Sequence, residues 1–112
     1  MRFLCLLTLM LLFGCATVSD EVVAPAAYAK TPTYSYPPIS RRLMEQGTVL
    51  VRVLVLENGR AGEVQILKSS GYARLDAAAV ANTKIADFVP AKTKSGRRVN
   101  SWIKIPIHFM LE

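Results

Sequence analysis

The 112-residue sequence holds one histidine, His108, and that alone removes most catalytic arrangements. A single histidine completes neither a zinc site nor a nucleophilic triad. By the alternation around it, His108 falls on the polar side of a strand and reads as a surface residue. Ser69 and Ser70 offer hydroxyl groups, but no base accompanies them. With Gly71 they read as a turn and helix cap. Glu45, Asp76 and Asp87 have no converging partner in the pattern, and Asp76, near a helix start, suits the helix dipole. The two cysteines are Cys5 and Cys15. A disulfide between them would close a loop inside an apolar leader, and their spacing suggests no zinc site. No glycine-rich phosphate loop is present. No cofactor and no metal are expected.

Cys15 does have a chemistry in prospect. Arg2 supplies a short positive region, and residues 3–13 are apolar except for Thr8. A run of about eleven residues is too short for a hydrocarbon core, which needs about 20. It has the length of an export-signal core. Leu12-Phe13-Gly14-Cys15 then resembles the bacterial lipobox, with a bulkier Phe13 than usual. The resemblance implies cleavage before Cys15 and acylation of Cys15, with residues 1–14 removed. More than one acyl chain anchors a protein stably where a single chain binds marginally. Loss of Cys5 with the leader would leave no free thiol, which suits an oxidising compartment. Ala16, where an aspartate favours the inner membrane in lipoproteins generally, leans toward the outer membrane.

The formal net charge is +6. The basic residues are scattered, with one dense stretch at 92–98 that holds no aromatic for base stacking. That stretch reads as a solvated loop, with attraction to an acidic partner or an anionic envelope surface as the alternative. Nucleic acid is not an expected partner of an exported chain. Residues 15–35 have the Ala, Ser, Thr and Pro composition of a linker. Twenty such residues reach at most about 70 Å. The fold is left to residues 36–112, a size at which a single core is marginal.

Within that stretch, Pro37 and Pro38 open a short helix to about residue 46, ended by Gly47. Residues 48–57 form the clearest strand, with Val49, Val51, Val53 and Val55 on one face. Leu50, Arg52, Leu54 and Leu56 take the other. Asn58-Gly59 is a strong turn signal, and a second strand covers 63–69. A helix is expected over 73–87, with Leu75, Ala78, Ala79, Asn82, Ile85 and Ala86 inward. A third strand covers 99–111, its odd-numbered residues in the core. Pro106 cannot donate to a ladder, so this strand belongs at an edge. The expected core centre is Val49, Val51, Val53, Val55, Leu75, Ile85, Phe88, Ile105 and Phe109. The fold class is α+β: a two-layer α-β-β-α-β arrangement, with helices on one face of a three-stranded, mainly antiparallel sheet. An outer face carrying Leu50, Leu54, Leu56, Trp102 and Met110 is more apolar than a solvated sheet needs.

Several segments in register resemble the TonB C-terminal domain family. They are Tyr36-Pro37, Gly47-Thr48-Val49, residues 53–59, Ser69-Ser70-Gly71-Tyr72, Leu75-Asp76-Ala78-Ala79, Phe88-Val89-Pro90-Ala91, Gly96 and residues 105–111. The resemblance implies a non-catalytic module that grips an extended segment of an outer-membrane transporter, or of another envelope protein, by adding it to a sheet edge. It places partner binding on Val99, Ser101, Trp102, Ile103, Lys104, Ile105, Pro106, Ile107 and His108. The chain departs from the family in its short apolar run, which lacks a motor-engaging histidine, in its brief tether, and in Ala86, where many relatives carry tryptophan. A lipid-anchored periplasmic binding module is therefore the first expectation. The alternatives are an energy transducer whose motor contact comes from another chain, and an enzyme acting on envelope polymers.

Overall fold

The computed structural model describes residues 20–30 and 32–112. The expected leader, Cys15 and the start of the tether lie outside the described residues. In chain order the elements are β1 (Val22–Ala24), β2 (Ala27–Tyr28), α1 (Pro38–Arg42), β3 (Gly47–Val55) and β4 (Ala61–Lys68). They continue with α2 (Ala73–Ile85), β5 (Phe88–Val89), β6 (Ala91–Thr93), β7 (Arg98–Val99) and β8 (Ser101–Phe109). No helix among the described residues is long and apolar enough to cross a membrane.

The main sheet has the order β4-β3-β8 and is antiparallel throughout. Its centre is β3, the strand most sharply patterned in the sequence. Val49, Val51, Val53 and Val55 are wholly buried, each contributing roughly 1.5–3 kcal/mol of burial. They meet Leu75 and Ala79 of α2, and Ile105, Ile107 and Phe109 of β8, in one core. The alternation of period two in β3 against the small inward residues of α2 is what produces two layers. Asn58 and Gly59 turn the chain from β3 to β4. Gly59 has φ +83°, and a Cβ there would lie 2.5 Å from the Phe88 carbonyl oxygen, so the turn excludes any side chain.

Five expectations are corrected. Residues 22–28, read as tether, belong to the fold. β1 pairs with β6 in a ribbon completed by β7, and β2 pairs with β5. These short strands are held by backbone pairing while β1 stays exposed, so no hydrophobic period marks them. The first helix stops at Arg42, well before Gly47. Met44, with φ 56°, takes the left-handed position, and Met44 N–H and Glu45 N–H donate to the carbonyls of Arg41 (3.2 Å) and Ser40 (2.8 Å). This is the Schellman closure, usually given to glycine. Gly47 instead permits a close approach. A Cβ there would sit 2.9 Å from the Ser70 carbonyl oxygen, because β3 starts against the Ser69-Ser70-Gly71 turn.

Ile85, expected in the core, is 81% exposed. At 100° per residue it stands about 120° round the helix from Ala79, the middle of the buried Leu75, Ala79 and Thr83 stripe. The buried place is taken by Thr83, whose Oγ1 donates to the Ala79 carbonyl at 2.7 Å. The expected third strand is two strands. Asn100 separates them, its Oδ1 accepting the Glu57 N–H at 2.8 Å, so β7 serves the small ribbon and β8 the main sheet.

Candidate partner-binding edge

β8 is an edge strand. It pairs with β3 at nine consecutive positions, from Gly47↔Phe109 to Val55↔Ser101, and among the described residues has no neighbour on its other side. Alternation divides its side chains. Ile105 and Ile107 are buried and Ser101 and Ile103 half-buried, whereas Trp102, Lys104, Pro106 and His108 are exposed on the far face. Val99 does not belong to this edge, because it lies in β7 opposite Ala91.

The backbone alternates as well. Leu111 N–H turns inward to Gln46 Oε1 at 3.0 Å. Two-residue alternation along an antiparallel strand then points the peptide groups of Trp102, Lys104, Pro106 and His108 outward. Pro106 occupies an outward position, where its missing N–H costs no ladder bond. The free rail therefore offers three donors and four acceptors.

The side chains beside the rail are braced from β3. The Arg52 guanidinium lies 4.0 Å from the Trp102 ring centroid, a diagonal cross-strand contact, since Arg52 faces Lys104 and Leu54 faces Trp102. Thr48 Oγ1 lies 2.9 Å from His108 Nδ1, directly across the same pair. Arg52 and Thr48 were not singled out in the sequence, although pairing Val51 with Ile105 would have placed both. At the far end of the rail, Tyr36, Arg41, Met44, Met110, Leu111 and Glu112 line an open hollow of about 580 Å³. Tyr36 closes its inner wall, edge-on to Phe109 at 5.4 Å.

The three acidic residues without an evident partner in the sequence serve separate purposes. Glu45 is buried and its Oε1 lies 3.2 Å from Arg74 Nη1, tying the turn after α1 to α2. Asp76 accepts from Ser70 N–H (2.9 Å), Ser70 Oγ (2.7 Å) and Ser69 Oγ. Burial pushes its pKa up, but the hydrogen bonds from Ser69 and Ser70 outweigh that, and the carboxyl is held below its ordinary value. The serines do not cap the helix; their hydroxyls accept from Gly71 N–H (3.0 Å) and Tyr72 N–H (3.2 Å) within the turn, and the aspartate fixes that turn. Asp87 takes part through its backbone, in an isolated β-bridge with Arg60 and as the carbonyl acceptor of Ala29 N–H at 2.9 Å. Among the described residues no three His, Cys, Asp or Glu side chains gather as a metal site would need.

A family model described as the Gram-negative bacterial TonB protein C-terminal matches residues 32–111. The chain belongs to that family. Within the TonB C-terminal family, it is 43% identical over 88 residues to Protein tonB2 of Pseudomonas aeruginosa, a match covering 79% of this chain and 32% of the relative. It is 37% identical over 87 residues to Protein TonB of Neisseria meningitidis serogroup C, covering 76% of this chain and 28% of the relative. The chain therefore matches about a third of the length of these curated relatives. The solution NMR structure of Pseudomonas aeruginosa TonB CTD aligns with a TM-score of 0.64 at 18% identity, over 87% of this chain and 92% of that one. At that identity the likeness is one of fold.

Proposed function

We propose that this TonB-family chain is a lipid-anchored envelope protein that binds, without catalysis, an extended segment of an outer-membrane transporter or another envelope protein. The segment adds as a strand beside β8. The observation that carries this reading is the one-sided pairing of β8, nine residues long (Ser101–Phe109), with its free peptide groups on Trp102, Lys104, Pro106 and His108. Backbone pairing supplies the affinity, and alternate side chains beside the rail select the segment. Trp102, stiffened by Arg52, offers a flat apolar surface. Lys104 favours an acidic neighbour. The inward residues Ser101, Ile103, Ile105 and Ile107 keep the rail straight by filling the core beneath it.

The anchor is Cys15, acylated after removal of residues 1–14. The domain then lies in the periplasm, on the outer membrane in preference to the inner by the Ala16 rule. Two measurements test the proposal. Titration with the N-terminal segment of an envelope receptor should shift β8 amides in NMR spectra and slow their hydrogen exchange. Effects mapping to α2 instead would refute strand addition. Intact-mass analysis of membrane-extracted protein should show an acylated Cys15 at the N-terminus; an unmodified cysteine would remove the anchor.

A further inference from the structure

The chain that enters the domain is fixed at its first described residue. The Asp20 carboxylate accepts from Ser95 N–H (3.2 Å) and Ser95 Oγ (2.8 Å), and lies 3.7 Å from Arg97 Nε. Lys94 N–H donates to the Glu21 carbonyl at 2.8 Å. Val22 and Ala24 then pair with Thr93 and Lys92. The hairpin formed by β6 and β7 is thus clasped by residues 20–24. Only residues 16–19 separate Asp20 from Cys15, so full extension allows at most about 18 Å between the two. An open tether over residues 15–35 would instead have allowed about 70 Å.

That hairpin is the dense basic stretch of the sequence. Lys92, Lys94, Arg97 and Arg98 are all exposed, and Thr93 is the one buried residue between 92 and 98. Asp20 and Glu21 oppose them, and Asp20 is already engaged by Ser95 and Arg97. Four cations against two carboxylates leave the tip positive. It carries no apolar side chain to insert into hydrocarbon and no aromatic to stack on a base, so its attraction is electrostatic.

We propose that the β6–β7 hairpin is a contact for the phosphate groups of an anionic phospholipid surface. The reading rests in part on acylation of Cys15, which would hold the hairpin near the headgroups. The charge of the tip and its lack of apolar residues stand without it. Attraction of lysine and arginine to an anionic leaflet fades over a Debye length of about 8 Å. A short connection keeps the hairpin close to that zone, where a long one would dilute it.

The test uses full-length protein, its Cys15 state read by intact mass, on vesicles containing phosphatidylglycerol and on vesicles of phosphatidylcholine alone. Lysine modification by an amine reagent is then read site by site by mass spectrometry. Labelling of Lys92 and Lys94 should fall about threefold or more on the anionic vesicles at low salt and recover as salt is raised. Lys68, Lys84 and Lys104 should keep their rates. Asp20→Ala, which removes a carboxylate that offsets the tip while Glu21, Val22 and Ala24 still hold the hairpin, should deepen the protection. Equal labelling of Lys92 and Lys94 on the two vesicles, or equal protection of Lys84 and Lys104, would overturn the proposal. Protein without an acyl group, given excess vesicles, still reports on the hairpin. Protection there would correct the anchor and keep this contact, whereas an acylated protein with unprotected Lys92 and Lys94 would do the reverse.

Discussion

The β4-β3-β8 sheet and the ribbons at the N-terminal side are built by different means. In the sheet, valines at every second position of β3 vanish into a core shared with α2 and β8. In the ribbons, β1 is exposed along its length, and the apolar side chains that hold the segment are few, Ala26 and the Tyr28–Phe88 stack at 4.9 Å, beside the polar contacts of Asp20 with Ser95 and Arg97. One region is stabilised by apolar burial and registers as a sequence period. The other is held by backbone hydrogen bonds to strands far along the chain, which a local pattern cannot display.

The strongest way to break that contrast is Val53→Asp. It places an unpaired carboxylate in the sheet's core at a cost of several kcal/mol. For a domain of this size that means loss of cooperative folding, read by thermal or urea melting. A cooperative melt near the parent temperature would show that β3 is not the structural centre.

Tyr28→Ala probes the ribbon. Loss of the stack on Phe88 and of the Tyr34 hydroxyl contact should cost about 2 kcal/mol. The effect should be local: the Ala29 amide, bonded to the Asp87 carbonyl at 2.9 Å, should exchange faster by a larger factor than the amides of β3. A uniform acceleration would mean that ribbon and sheet open as one unit.

Asp76→Ala separates the turn from both regions. Its folded-state pKa lies below the ordinary value. Its contribution is therefore complete above the unfolded-state pKa and is lost as pH falls through the folded one. The variant should lose about 1 kcal/mol at neutral pH and show a flatter decline below about pH 4 than the parent. A parallel acid limb in urea-melting series would place the coupling elsewhere.

The smallest effect concerns Met44, 70% exposed in a left-handed conformation. Met44→Gly relieves a backbone cost of roughly 1–2 kcal/mol and gives back part of it as unfolded-chain entropy. A net gain of about 0.5 kcal/mol is expected, measurable as a shifted denaturation midpoint at constant slope.

The division between what the sequence disclosed and what it hid follows the same contrast. The β3 valines, the Asn58-Gly59 turn, α2 and the edge position required by Pro106 were legible because each depends on its own residue types. The left-handed Met44 was not, since glycine three positions later offered a better local candidate, whose actual purpose is a close approach to Ser70. Ile85 fits a helical stripe centred on Leu75, but burial of Thr83 centres the true stripe on Ala79 and turns Ile85 out. Asn100 interrupts a strand pattern that continues through it on both sides. At the edge, Trp102, Lys104 and His108 were visible as an alternating row. Their supports, Arg52 and Thr48, become apparent only with the β3–β8 register.

The unequal pairing of the strands has a mechanical consequence. β8 is joined to β3 at nine registered positions, whereas β1 meets β6 at two, with a register shift between them. A pull between an anchored N-terminus and a strand seated on β8 loads these connections in series, so each bears the same force. The shorter one yields first. Its release, followed by that of β2 from β5, frees residues 20–33, up to the contacts of Tyr34 and Tyr36 with the core, as slack of up to about 45 Å while the valine core stays in place. With Cys15 acylated and a partner on β8, as proposed, the ribbons would act as a fuse between the two.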